Sequence, residues 1–470
     1  MAAEPLATVV EPPPTDVPPP PPPPPPDREP CAADVAGAPV PGEESGRTDP
    51  LDDGDTTGRA IGRRALFVPK LAVDVAFAPI RSSIWLYDRY RLDDLYYRIF
   101  FNDARTIGLY PTVAFESGFG ITGLTGGARF VARDMFGERE HLALQAAAAT
   151  SYYFRQLYSA SFRTGNRLGK RFSLEADVGY EIRPRDAFYG IGNGDASPAP
   201  AMPVDPRVSD VAVETRFSQH RARGVITGDV RLWSDLHLRP AAAVSDRTFG
   251  TPSEGIASDQ VYSMGLVGWG GVQGAYGELE LRWDNRRAVS TWDPHGTLTG
   301  GTLASAFAAQ FHRLDAGADF ARYGFELQQF VRLGIGPRVI AARVHGEAVT
   351  GSRADVPFTE LPSLGGPLYL RGYALDRFRD RVAAFGTLEY QWDLAGWIMA
   401  NAFVDAGRVY SAVNDVSLDH LRVGYGLGLQ LTYGGGFVSE VSVASSVDGG
   451  LFFNLAFNPV YDIEQRVRRR

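Results

Sequence analysis

Two short stretches hold the residues whose types and spacing are best suited to chemistry. Leu361-Pro-Ser-Leu-Gly-Gly-Pro-Leu-Tyr-Leu-Arg-Gly-Tyr373 reads as a long loop with Arg371, Gly372 and Tyr373 near its tip. Phe403-Val-Asp-Ala-Gly-Arg-Val-Tyr410 reads as a strand that carries Asp405 among apolar neighbours. A guanidinium and a carboxylate are each costly to bury alone, whereas together they can form a charge-assisted, bidentate pair. Other chemistry is poorly represented. Gly118-Phe-Gly-Ile-Thr-Gly123 matches a phosphate-cradling spacing, but alternating strand residues follow it instead of a helix, so it reads as a hairpin turn. No nucleophile elbow, zinc-protease helix or P-loop is present. The seven histidines (His141, His220, His237, His295, His312, His345, His420) are scattered without metal-ligand spacing. The sequence predicts no metal, no cofactor and no catalytic residue.

The elements that must position the pair alternate with period two, which is a strand signal. From Leu421 to Tyr433 every odd position is apolar, and the even positions are Arg422, Gly424, Gly426, Gly428, Gln430 and Thr432. This length suits a tilted strand crossing a bilayer. The last strand repeats the pattern, with Leu451, Phe453, Leu455 and Phe457 on one face. A soluble sandwich also alternates but rarely sustains strands this long in succession.

Composition agrees. The chain has 470 residues, 44% hydrophobic, with 52 glycines and a net charge of −8. No run approaches the ~18–20 apolar residues of a membrane-spanning helix. The charge offers no basic footprint, so nucleic acid is excluded as a partner. One cysteine, Cys31, excludes an internal disulfide framework. The start, Met1-Ala-Ala-Glu-Pro, lacks the charged and apolar regions of an export signal. The expectation is a start codon placed too far downstream, with Ala2-Ala3 as the end of a cleavage site.

Residues 1–60 are low in complexity. The proline run Pro18–Pro26 predicts a polyproline II rod about 28 Å long at ~3.1 Å per residue, within a disordered tether. Residues 61–106 form a periplasmic or interfacial segment, in which Pro79 to Arg98 reads as an amphipathic helix lying at the membrane interface or capping the barrel mouth, or else as a plain connector. Residues 107–461 read as sixteen strands: 107–117, 123–135, 140–153, 155–168, 170–188, 208–230, 236–249, 272–286, 297–312, 316–334, 338–351, 382–394, 397–411, 421–433, 436–447 and 450–461. Residues 462–470 are a basic tail. The predicted fold is all-β: a sixteen-stranded antiparallel transmembrane β-barrel whose long loop, 352–380, folds inward.

These residues resemble the Omp85 superfamily, specifically its bacterial surface-antigen barrels related to BamA and TamA. Leu370-Arg371-Gly372-Tyr373 is similar to the signature of the sixth extracellular loop, Phe403-x-Asp405-x-Gly407 to that of strand thirteen, and Gly386-Thr-Leu-Glu389-Tyr to the strand-twelve segment. Leu281-Arg-Trp-Asp284-Asn-Arg286 and Phe188-Tyr-Gly-Ile-Gly-Asn193 resemble it more weakly. Asp448-x-Gly450-x-x-Phe453-x-Leu455 is similar to the signal by which barrels are recognised for assembly. The resemblance implies that the loop folds back into the lumen, where Arg371 meets Asp405 and Glu389. Alternation agrees with it, since Ile398, Ala400, Ala402 and Val404 form one face and leave Asn401, Phe403, Asp405 and Gly407 inward.

The family's periplasmic POTRA domains need ~60 residues or more, and residues 61–106 are too few, so a barrel without them is expected. By resemblance the function is to assist insertion or translocation of proteins, or of lipids, at the bacterial outer membrane. Its partners would be outer-membrane lipid and unfolded outer-membrane proteins or a periplasmic partner. The alternatives are a surface antigen or passive pore, and, third, an outer-membrane enzyme. The first and last strands must meet to close the ring, and each contains a proline, Pro111 and Pro459. Proline donates no ladder bond, so this seam should be weak, and in the resembling family it is the lateral gate.

Overall fold

The structure is a computed structural model. It describes residue 82 and residues 89–463, apart from 116–123, 148–154, 264–265, 288–298, 335–337, 396–397, 434–435, 457–459 and 462. The expected tether, Cys31, the 118–123 turn, Pro459 and the tail beyond Ile463 lie outside the described residues.

Sixteen strands form one antiparallel sheet in strict sequence order. They are β1 (Ile107–Phe115), β2 (Leu124–Arg133), β3 (His141–Ala147), β4 (Gln156–Arg163), β5 (Phe172–Phe188), β6 (Thr215–Arg231), β7 (Leu236–Gly250), β8 (Val272–Asp284), β9 (Gly301–Arg313), β10 (Phe320–Arg332), β11 (Arg338–Val349), β12 (Val382–Ala395), β13 (Ile398–Tyr410), β14 (Arg422–Tyr433), β15 (Gly436–Ser446) and β16 (Leu451–Ala456). Period-two alternation sets which side each residue takes. Val404, Leu427 and Phe453 point outward, the last two 63% and 69% exposed. Their neighbours Asp405 and Ser442 point inward and are buried. Large apolar groups outside and charges inside are the reverse of a water-soluble core and match a strand wall solvated by hydrocarbon. The fold is a sixteen-stranded transmembrane barrel. No described helix is long and apolar enough to cross a membrane.

A short helix, α1 (Leu92–Phe100), precedes the wall and turns at Phe101 into β1. Tyr96 and Phe101 pack on Tyr110, an inward residue of β1, at ring-centroid distances of 6.0 and 5.8 Å. The helix therefore sits at the mouth of the barrel against its inner rim. It covers the second half of the segment that sequence periodicity marks as helical. Most of the first half lies outside the described residues.

Several strands are shorter than their sequence reading (155–168 ends at Arg163, and 316–334 spans Phe320–Arg332), and two of the differences bear on the lumen. Residues 208–214 precede β6 instead of extending it, because the Val213 backbone is engaged by a side chain: the Tyr262 hydroxyl accepts from Val213 N at 2.9 Å and donates to Val213 O at 3.0 Å. At the other end the described part of β16 runs to Ala456, opposite Glu440. Val460 and Tyr461 are buried against Phe330, Val339 and Ala341 of β10 and β11, so the chain has left the wall and entered the lumen.

The lumen is packed where residues 350–381 enter it. Phe358 is the hub, with ring centroids of Phe188, Phe217, Phe249 and Trp269 at 5.2, 5.4, 5.2 and 5.6 Å. Beside it Glu360 takes Arg247 at 2.7 Å and Arg322 at 3.0 Å. A two-residue ladder, Ser363–Leu364 on Phe378–Arg379, then pinches the loop into a hairpin whose tip holds residues 365–377.

Candidate functional site: an arginine clasp in the lumen

Arg371 lies at that tip and is 1% exposed. Its main-chain N donates to Asp405 Oδ2 at 2.8 Å, its Nε to the same oxygen at 3.0 Å, and its Nη2 to Asp405 Oδ1 at 2.9 Å. Nη1 donates to Glu389 Oε2 at 2.9 Å, and Nη2 also reaches Thr387 Oγ1 at 3.1 Å. Thr387 in turn donates to Asp405 Oδ1 at 2.5 Å. The planar fork is thus filled on both edges, which an ammonium could not reproduce. Beneath it lies Phe403, whose ring centroid is 3.4 Å from the guanidinium carbon. A cation over an aromatic face gains further electrostatic attraction when water is excluded. Burial alone would lower the Arg371 pKa, but Asp405 and Glu389 outweigh it and hold the group protonated.

Strand register explains why these side chains meet. Thr387 stands opposite Asp405, and Glu389 opposite Phe403, on the β12–β13 ladder. On the other side of β13, Asp405 faces Gly424 and Phe403 faces Gly426. Inward residues of β12 and β13 therefore supply the acids, and β14 supplies room. A Cβ on Gly424 would lie 1.7 Å from the Arg371 carbonyl oxygen, so the loop backbone rests directly on that strand. Gly372, at φ +93°, takes a conformation open to glycine and packs against the Ser445 carbonyl. Leu370 holds φ +67°, a strained value for a side chain that persists where surrounding contacts over-determine it.

Tyr373 completes the motif. Its hydroxyl donates to Asp448 Oδ2 at 2.9 Å in the β15–β16 turn, where Arg422 also binds that carboxylate at 2.7 Å. Three consecutive residues thus touch the wall from β12 to the last hairpin. Gly407 lies one turn of the pleat beyond Asp405, close to Leu364 of the loop. Pro111 is elsewhere, within β1 and opposite Ala128. Its Pro459 counterpart is outside the described residues.

Sequence reasoning passes over Thr387, Glu440, Phe358 and Glu360. Glu440 lies 3.9 Å from Arg371 Nη1 and accepts from Gln430 at 3.1 Å. The available signal for Thr387 and Glu440 was parity, since both fall on inward positions of their strands. For Phe358 and Glu360 the signal was an aromatic beside an acid inside a loop. Among the described residues no group of three or more His, Cys, Asp or Glu side chains is placed to hold a metal ion.

A second set of contacts covers the barrel above the clasp. The Asn193 side chain brackets Val409, donating to its O at 2.6 Å and accepting from its N at 3.1 Å. Gly192 N donates to Arg379 O at 2.7 Å, and Arg377 donates to Gly194 O at 2.7 Å. The loop between β5 and β6 is thereby stitched to the lumenal loop.

Comparison with known proteins places this geometry. Residues 295–439 match the model of the Omp85 superfamily domain, a span that includes Arg371, Glu389 and Asp405. Among solved structures the chain is similar to BamA from Haemophilus ducreyi lacking POTRA domains 1–3, with 15% identity, a TM-score of 0.50, and 74% of this chain and 69% of that chain covered. CdiB from Acinetobacter baumannii gives 11% identity and a TM-score of 0.44 over 75% and 60% of the two chains. CdiB from Escherichia coli gives 12% and 0.47 over 75% and 62%, so this chain spans less than two thirds of either CdiB. No curated protein sequence matches it. Residues 295–439 thus match an Omp85 superfamily domain, and the likeness of the chain to BamA is one of fold, a sixteen-stranded β-barrel.

Proposed function

We propose that this barrel assists the insertion or translocation of polypeptides at the outer membrane, with the Arg371 loop as the fixed internal support and the seam between β1 and β16 as the route to lipid. The observation that carries this reading is the clasp itself, set inside an Omp85 domain. A loop held by five donated hydrogen bonds within the lumen obstructs a straight path through the barrel, and the β5–β6 loop covers it. A client would then leave sideways. The same blockage weighs against a passive pore, and an assembly barrel has no need of a reaction centre. Its surroundings would be outer-membrane lipid and its clients unfolded outer-membrane proteins, brought by a periplasmic partner.

The test is depletion of the protein followed by inventory of outer-membrane proteins and of lipid asymmetry. Loss of particular barrels, or of asymmetry, is the expected result. Ion conductance by the purified barrel with both inventories unchanged would favour the pore.

A further inference from the structure

Beyond β16 the chain places two consecutive main-chain carbonyls against three side-chain donors on the far wall. Val460 O accepts from Arg343 Nη1 at 3.0 Å. Tyr461 O accepts from Gln328 Nε2 and from Arg286 Nη1, each at 3.2 Å. These donors are each held by other side chains as well. Asp284 grips Arg286 through Nε at 2.8 Å and Nη2 at 2.7 Å, and Arg286 donates to Gln328 Oε1 at 2.6 Å. Glu326 grips Arg343 through Nε at 2.5 Å and receives Gln328 Nε2 at 2.6 Å. An apolar floor of Phe330, Val339 and Ala341 takes the two side chains, the Tyr461 ring standing edge-on to Phe330 at 5.0 Å.

No contact in this set reads a charge or a particular polar side chain of the occupant. The main-chain carbonyls of a turn and one ring are read instead, contacts that any polypeptide turn carrying an aromatic residue can offer. The occupant is also imperfect: the Tyr461 hydroxyl is buried and has no hydrogen-bond partner among the described residues. The floor suits an aromatic ring and has no use for its oxygen.

We propose that Arg286, Gln328, Arg343, Phe330 and Ala341 form a receptor for a polypeptide turn bearing an aromatic residue, and that Val460–Tyr461 occupy it in cis. Arg343 Nη1 also donates to Leu368 O of the lumenal loop at 3.2 Å, and its guanidinium lies 4.6 Å from the Tyr369 ring centroid. Filling the receptor is therefore coupled to the seated loop through one guanidinium. The inference goes beyond an insertion role and does not need it, because binding is measured on the barrel alone.

The experiment uses the full chain in detergent micelles and a fluorescent synthetic peptide, Asn-Pro-Val-Tyr-Asp-Ile, copied from residues 458–463. A tethered occupant competes at an effective concentration in the millimolar range, so the Tyr461→Ala variant should bind the peptide roughly tenfold or more tightly than wild type. Adding Arg343→Met should remove that gain, and a peptide with Phe for Tyr should bind at least as well as the original. Equal binding to wild type and variant, or no saturable binding to a variant that still migrates as a folded barrel, would overturn the proposal. If Tyr461→Ala fails to fold, Ala341→Cys with Val460→Cys in a Cys31→Ser background decides. The oxidised protein should exclude the peptide and the reduced protein admit it, and equal binding in both states overturns the receptor.

Discussion

Asp405 and Glu389 are fully buried, and Arg371 is what balances them. Removing one partner of such a set leaves charge stranded, at a cost of about 3–5 kcal/mol where the site is dry. Arg371→Ala should therefore reduce barrel accumulation and lower the temperature at which the folded band is lost in gels. Wild-type melting of that variant would remove the clasp from the stability of the fold. Arg371→Lys keeps the charge but not the fork, and should fall between the two. Thr387→Val is a finer test, because its hydroxyl both accepts from Arg371 and donates to Asp405. Leaving those groups short of a partner costs about 1–3 kcal/mol, so it should melt above Arg371→Ala and below wild type.

Elements translate that residue chemistry into a position for the loop. β14 must stay bare opposite Asp405, since a methyl on Gly424 would meet the Arg371 carbonyl at 1.7 Å. Gly386, on β12, meets nothing closer than 3.6 Å and serves as the control. Gly424→Ala should raise hydrogen exchange and protease nicking across residues 370–373, and Gly386→Ala should not. Equal protection in both variants would mean the loop is held from elsewhere. How much of this was legible depends on range. Alternation in 421–433 and 397–411 told inward from outward, because the two sides of a barrel wall meet different solvents. The meaning of Gly424 was not legible, since it depends on a loop carbonyl more than fifty residues earlier. Nor was the start of β6, where Tyr262 replaces a ladder partner. The apolar run through Phe457 continued the strand pattern to Tyr461, and only Pro459 broke it. What binds Tyr461 lies on β10 and just past the end of β8, beyond the reach of local pattern.

At the scale of the whole barrel, the two strands that must meet to close the ring hold 9 residues in β1 and 6 in β16 among the described residues, against 14 in β12. β16 pairs with β15 only from Glu440 to Ser445, so the stretch Gly436–Ser439 has its ladder on β14 alone among the described residues. Pro111 sits within β1, where a missing donor is tolerated because one side of the strand has no ladder among the described residues. Each backbone bond absent from the seam forgoes about 0.5–1.5 kcal/mol net, whereas the clasp side of the barrel is fastened by charge. Strain applied to the ring should therefore open it at β1 and β16 and leave Arg371 seated. Cysteines placed on outward positions of β1, such as Leu109, and of β16, such as Phe453 or Leu455, should include a pair that crosslinks in a Cys31→Ser background. The locked barrel should keep its folded migration and lose the ability to assemble an unfolded outer-membrane protein into liposomes, with recovery on reduction. If the oxidised protein assembles that client as fast as the reduced one, the seam is not a gate, and a static barrel is the better account of this chain.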